Sequence, residues 1–136
     1  MSIVSVAHIR VLYADTDQMG VVNNGIYLRF FEIGRAEWLR QRGRAYKDME
    51  DAGYMLPVVE AHVRYREPAR YDDVIDIHGG PVDIRAASVK FEYRLFRVAD
   101  NRLLSEGYTL HACLTKEGKV RRFPDELLSL FHPDPQ

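Results

Sequence analysis

Tyr27-Leu28-Arg29-Phe30-Phe31-Glu32-Ile33-Gly34-Arg35-Ala36-Glu37-Trp38-Leu39-Arg40-Gln41 is the stretch that decides the fold. Tyr27, Phe30, Phe31, Gly34 and Trp38 recur at the three- and four-residue steps of an α-helix and make one apolar stripe. Arg29, Glu32, Arg35, Glu37 and Arg40 fill charged positions between them. The spacing predicts a helix over Tyr27–Gln41, roughly 22–24 Å long at 1.5 Å per residue. Gly43 is its stop. A ring-rich face of that length needs a broad partner surface. Gly34 in mid-helix costs about 1 kcal/mol against alanine, so a sheet is expected to press on the helix backbone there.

Working outward, Ile3 to Tyr13 reads as a strand, with Ile9, Val11 and Tyr13 alternating with His8, Arg10 and Leu12. Asp15-Thr16-Asp17-Gln18-Met19-Gly20 is a turn by its short carboxylates and glycine. Val21-Val22-Asn23-Asn24-Gly25 leads into the helix, and either asparagine can cap it. A shorter helix over Ala45–Ala52 follows, ending at Gly53.

From there the pattern is β. Ala61, Val63 and Tyr65 alternate with charged residues up to Pro68. Val74–His78 reads as a short strand that Gly79-Gly80-Pro81 breaks or bends. Val89, Phe91, Tyr93 and Leu95 mark the clearest strand, with a turn at Asp100-Asn101. Tyr108, Leu110, Ala112 and Leu114 make the last strand, and Glu117-Gly118 the next turn. Pro124 opens a final helical turn through Phe131, and the Pro133-Asp134-Pro135 tail is expected to be loose.

Short turns between the later strands imply antiparallel pairing, and no second long helix separates them, which excludes a doubly wound sheet. The fold class is therefore α+β: an antiparallel sheet of about five strands curled around one long central helix. One helix cannot cover both faces of such a sheet, so self-association as a dimer or a dimer of dimers is expected.

At 136 residues the chain suits one domain, 1–136, with its core over about 5–125. Hydrophobic residues at 46% and charged residues at 29% are ordinary for a globular chain and argue against disorder. A net charge of −1 gives no global reason to expect nucleic acid. The lone Cys113 excludes an internal disulfide framework and a cysteine-rich zinc site. His8, His62, His78, His111 and His132 are scattered without metal spacing. No membrane-length apolar run and no basic leader occur, so the expected location is the cytoplasm. G-x-S-x-G, H-E-x-x-H, P-loop and G-x-G-x-x-G motifs are all absent.

What stands out is a pair of carboxylates, Asp15 and Asp17, running into a capped helix. Two solvated carboxylates in an Asx-type turn are the simpler reading of that spacing. The chemical reading places one carboxylate beside a helix N-terminus, where unpaired N–H groups and the positive dipole end polarise a carbonyl. A carboxylate there serves as nucleophile or general base for acyl transfer. Asp15 reads as the turn-former. Glu32 is expected to pair with Arg29 or Arg35 on the helix surface.

Asp15-x-Asp17-x-x-Gly20-Val21-Val22-x-x-x-x-Tyr27-Leu28-Arg29-Phe30-Phe31-Glu32-x-x-Arg35 resembles the signature of 4-hydroxybenzoyl-CoA thioesterase-like proteins. Tyr65-x-x-Pro68-Ala69-Arg70-Tyr71-x-Asp73 is similar to that family's second strand and following turn. The resemblance implies the hotdog fold, a helix enclosed by a curled antiparallel sheet and paired as a dimer. It implies Asp17 as the catalytic carboxylate and the backbone N–H of Asn24 as the oxyanion donor. Gly20, Val22, Asn23 and Tyr27 of the same motif become candidate substrate-binding residues. Asn23 and Asn24 stand where the common bacterial variant has an aromatic residue and a histidine, an Asn-Asn form found in other thioesterase branches.

The implied reaction is hydrolysis of an acyl-CoA thioester to a carboxylic acid and coenzyme A. It needs no metal and no cofactor, because a thiol of pKa ~8–9 leaves without a strong general acid. Coenzyme A phosphates ask for basic residues. Arg85 and Lys90, with Ser88 between them, resemble the family's nucleotide-binding edge, and Arg70 is expected to hold the turn before Asp73. Phe30, Phe31, Tyr54, Met55 and Leu56 are candidates for an acyl tunnel at a dimer interface, with core packing the expected role of most of them. The rival readings are an acyl-carrier-protein thioesterase and a module that binds an acyl thioester without cleaving it.

Overall fold

The computed structural model describes residues 3–132, so the Pro133-Asp134-Pro135 expectation lies outside the described residues. Strand β1 (Val4–Arg10) is followed by helix α1 (Ile26–Arg40), helix α2 (Tyr46–Asp51) and strand β2 (Val58–Tyr65). Strands β3 (Val74–Ile84), β4 (Ser88–Arg97) and β5 (Arg102–Ala112) come next, and helix α3 (Asp125–Phe131) closes the chain. The five strands form one sheet in the order β1-β3-β4-β5-β2, every pair antiparallel. α1 packs chiefly against β3, with further contact to β1 and β4. This is the expected α+β architecture.

The stripe on α1 explains the packing. Tyr27, Phe30, Phe31, Trp38 and Leu39 are buried in the core. Phe31 stacks on Tyr93 of β4 at 4.4 Å between centroids, and Trp38 meets Phe91 edge-on at 5.8 Å. Gly34 lies where the sheet comes closest: a Cβ there would stand 2.8 Å from Ile77 Cγ2. The inferred close approach at Gly34 is therefore present, and it explains why the helix carries a residue of poor propensity.

Three sequence expectations are corrected. The first strand stops at Arg10, and Tyr13–Asp15 forms a single 3-10 turn instead of extending it. Gly79-Gly80-Pro81 does not break β3, which continues to Ile84. The Tyr93 ring beside Gly79 fills the space that a side chain would take, and the register shifts between Pro81 and Asp83, where a bulge accommodates proline. The last strand ends at Ala112, and Leu114 instead bridges Met55 and Val120.

β2 is an edge of the sheet, paired only with β5, and most of its residues are exposed. Val58 and Val59 are among the exposed large apolar residues. Among the described residues, no helix is long and apolar enough to cross a membrane.

Candidate functional site

The polar stretch after β1 folds back on itself. Thr16 bridges Val22 in an antiparallel pair. The Asp17 N–H donates to Val21 O at 2.9 Å, and the Asn23 N–H donates to Asp15 O at 2.9 Å. Residues 15–17 therefore run beside residues 21–23, and the return arm delivers Asn24 to the start of α1. Gly20 closes the turn at φ +78°, a conformation that disfavours side chains, with its N–H on Asp17 O at 3.0 Å.

Asp17 is exposed. Its Oδ1 accepts the Met19 N–H at 2.8 Å and, more distantly, the Val21 N–H at 3.5 Å. Both donors fall on one oxygen, and Oδ2 has no donor among the described residues. The turn thus orients the carboxylate while leaving one oxygen for chemistry.

Asp15 is built differently. It is 5% exposed. Its Oδ2 accepts the Leu12 N–H at 2.8 Å, and its Oδ1 accepts Arg29 Nη2 at 2.6 Å. The expected turn-forming role holds, and an ion pair to the first turn of α1 is added. That pair overturns the expectation for Glu32. Arg29 is taken by Asp15, and Arg35 donates to the Tyr46 and Tyr93 hydroxyls. Glu32 has no cation within ion-pair distance among the described residues. An exposed pair one helical turn apart gives only ~0.2–0.5 kcal/mol, less than a charge-assisted bond to a desolvated carboxylate.

The entry to α1 separates the two asparagines. Asn23 Oδ1 accepts the Gly25 N–H at 3.2 Å, and Asn23 O accepts the Ile26 N–H at 2.9 Å. Gly25 is the N-cap residue and no side chain caps α1, so the expectation that an asparagine caps the helix is corrected: Asn23 shapes the turn just before it. Asn24 O accepts the Tyr65 hydroxyl at 3.0 Å and the Tyr27 N–H at 3.4 Å. The Asn24 N–H meets no acceptor among the described residues, and it stands at the positive end of α1.

A cleft of about 170 Å³ opens here, lined by Val21, Val22, Asn24, Tyr27 and Tyr65, with the Arg66-Glu67-Pro68 turn beyond. Tyr27 accepts the Ala69 N–H at 3.1 Å, and burial pushes its pKa up, so it stays a neutral phenol. Of the expected substrate-binding residues, Val22 and Tyr27 line this cleft with Asn24. Gly20 and Asn23 belong to the same loop but not to the lining, and Asp17 reaches it only through its pairing with Val21. Tyr65 opens the second family-like motif, but sequence reasoning assigns it no site role, because its reach to Asn24 spans 41 residues of chain. Its ring packs edge-on against Tyr27 at 5.1 Å.

Arg85, Ser88 and Lys90 lie apart from the cleft. The Arg85 N–H donates to Ser88 O at 2.9 Å across the β3–β4 hairpin. The exposed Arg85 guanidinium stands 3.4 Å from Asp83, and Lys90 Nζ lies 4.4 Å from the Tyr108 ring centroid. The turn before Asp73 is held by the Arg70 backbone, whose N–H donates to Asp73 Oδ2 at 2.9 Å, not by its side chain.

For most of the acyl-tunnel candidates core packing holds, as expected. Phe30 and Phe31 are core residues. Tyr54 accepts from Arg121 at 3.0 Å, and Met55 pairs with Leu114. A separate cavity of about 390 Å³ runs between α1 and β2, lined by Leu28, Arg29, Glu32, Arg35, Val58, Ala61 and Thr109. None of the five expected residues lines it.

Cys113 is buried, and burial pushes its thiol pKa up, away from nucleophilic use. Burial pulls His111 down to about 4, so its ring is neutral. Among the described residues, no group of three or more His, Cys, Asp or Glu side chains is arranged to hold a metal ion.

Residues 11–131 match the model of the thioesterase-like superfamily. The chain is 32% identical over 124 residues to the acyl-CoA thioester hydrolase YbgC of Escherichia coli O157:H7, spanning 90% of this chain and 92% of that one. A hypothetical protein of Thermus thermophilus superposes with a TM-score of 0.89 at 33% identity, covering 95% of this chain and 98% of its own. A DHNA-CoA thioesterase from Staphylococcus aureus superposes with a TM-score of 0.89 at 25% identity, covering 95% and 89%.

Proposed function

The chain belongs to the thioesterase-like superfamily with its hotdog fold, and from that premise we propose that it hydrolyses acyl-CoA thioesters at the start of α1. The observation that carries the reading is the Asn24 N–H. It is an unpaired donor at a helix N-terminus, at the edge of a cleft, in a loop that also presents the open oxygen of Asp17. A donor fixed in place before the reaction stabilises the oxyanion without reorganisation. Asp17 acts as nucleophile or general base. In the first case its Oδ2 adds to the thioester carbon, the C–S bond breaks, coenzyme A leaves as thiolate, and water then cleaves the anhydride. In the second case Asp17 takes a proton from the water that attacks. A second copy pairing along the β2 edge completes the assembly, and Arg85 and Lys90 serve the phosphates of coenzyme A.

Thiol release from a panel of short, medium, long and aromatic acyl-CoAs tests this. Turnover of at least one of them, unchanged by a chelator, is the expected result. Binding without turnover across the panel would favour a module that only carries acyl thioesters. Turnover lost with a chelator and restored by zinc would contradict the metal-free mechanism.

A further inference from the structure

Arg35 is 9% exposed, and among the described residues its hydrogen-bond partners are hydroxyls, with the Tyr46 ring face 5.8 Å from its guanidinium carbon. Nε donates to Tyr46 at 2.9 Å and Nη1 donates to Tyr93 at 3.3 Å. A guanidinium has five N–H groups, so three remain without a partner among the described residues. No carboxylate lies within ion-pair distance of it there. The groups behind it are neutral as well. The Tyr93 hydroxyl meets Thr109 Oγ1 at 2.6 Å, and Thr109 meets His111 Nε2 at 2.8 Å. His111 Nδ1 is 3.0 Å from Leu56 O, which can only accept, so that ring nitrogen carries the proton and Nε2 accepts from Thr109. Thr109 then donates to His111, the Tyr93 hydroxyl donates to Thr109, and the Tyr93 oxygen accepts from Arg35.

A desolvated charge without a counter-ion is costly, and a full set of neutral hydrogen bonds only partly offsets it. Arg35 lines the cavity of about 390 Å³ between α1 and β2, where Leu28, Val58 and Ala61 give apolar walls. The cavity's other charges do not neutralise it. Arg29 is bound to Asp15. Glu32 is exposed, where solvent weakens its field, whereas the buried Arg35 acts through a lower dielectric. Ile26 to Arg35 is nine helical steps, roughly 14 Å. Leu28, Glu32 and Arg35 line the cavity at successive turns of α1, so an acyl chain of about that length, held at the Asn24 end, would reach Arg35 with its far end.

We propose that this cavity is an acyl subsite and that Arg35 selects acyl groups whose distal end bears a carboxylate. The inference rests on the reading of the α1 N-terminus as the thioester site. The carboxylate supplies the anion that the guanidinium lacks, and the apolar walls take the chain between the two ends. Arg35 acts on specificity and touches none of the reacting atoms.

The test compares ω-carboxyacyl-CoAs with their ω-methyl esters over a length series. The two esters of each pair differ only in the distal charge. For wild type, kcat/KM should favour the acid by about tenfold or more at the matching length. In Arg35→Met and Arg35→Lys, each checked by thermal melt, the preference should fall, completely in the first and partly in the second. The wild-type ratio needs no variant to fold. A ratio at or below one at every length, with the esters still hydrolysed, overturns the subsite and leaves the thioesterase reading standing. No thiol release from either series, nor from plain acyl-CoAs, overturns the thioesterase reading itself. Equal ratios in wild type and Arg35→Met, with a dimer that dissociates in the variant, would assign Arg35 to the contact with a second copy and sink the proposal.

Discussion

Asp15 and Asp17 stand two residues apart, and their surroundings give them opposite work. Asp15 is desolvated and bound to Arg29, whereas Asp17 is exposed and held through one oxygen only. Asp15→Asn should therefore act on stability. It removes a charge-assisted bond worth ~1.5–3 kcal/mol, and the thermal midpoint should drop by several degrees while kcat in the folded fraction changes little. A melt curve paired with an activity assay reads both. Asn24 makes its contacts through its backbone, so Asn24→Ala should be nearly silent in both kcat and melting temperature. A large loss of kcat there would move the oxyanion role to the side chain. The sequence placed both residues in the right loop through their spacing from the helix. It could not reveal which carboxylate was buried, because Arg29 reaches Asp15 across 14 residues of chain. For the same reason Glu32 was misassigned: local helix spacing cannot see a distant competitor for Arg29.

At the scale of the elements, α1 and β4 were legible because their apolar periods are long and uninterrupted. β3 was not, because what keeps Gly79-Gly80-Pro81 in the sheet is the Tyr93 ring on the neighbouring strand and a bulge. β5 holds the tightest approach. A Cβ on Gly107 would stand 2.0 Å from His62 O of β2. Gly107→Ala must pry β2 from β5, and a loss of about 3 kcal/mol or more is expected by chemical denaturation. The core also predicts a pH response. His111 is neutral when folded down to about pH 4, because burial disfavours its charged form. The unfolded chain protonates it near pH 6.5. Below that value the unfolded state binds the extra proton, so this contribution is fully present above the unfolded pKa. It is lost as pH falls from about 6.5 to about 4, by an amount on the order of 3 kcal/mol. Melts of wild type and His111→Gln across that window should converge as the pH drops, if the variant folds at neutral pH. A constant gap would mean that His111 does not set the slope.

At the scale of the whole molecule, the unpaired edge of β2 asks for a second copy. Light scattering should give a dimer or a dimer of dimers at micromolar concentration, and a fully active monomer would remove any shared site. The proposed hydrolysis depends on one charge beside one backbone donor. Asp17→Asn keeps the size of the side chain and the oxygen that accepts the Met19 N–H, and removes the charge. The measurement is kcat for thiol release by wild type and Asp17→Asn on the best acyl-CoA of the panel, with melting temperature and oligomeric state checked alongside. The account predicts a fall of ~10²–10⁴ in kcat, with KM and assembly largely retained; equal kcat in the two proteins would contradict it.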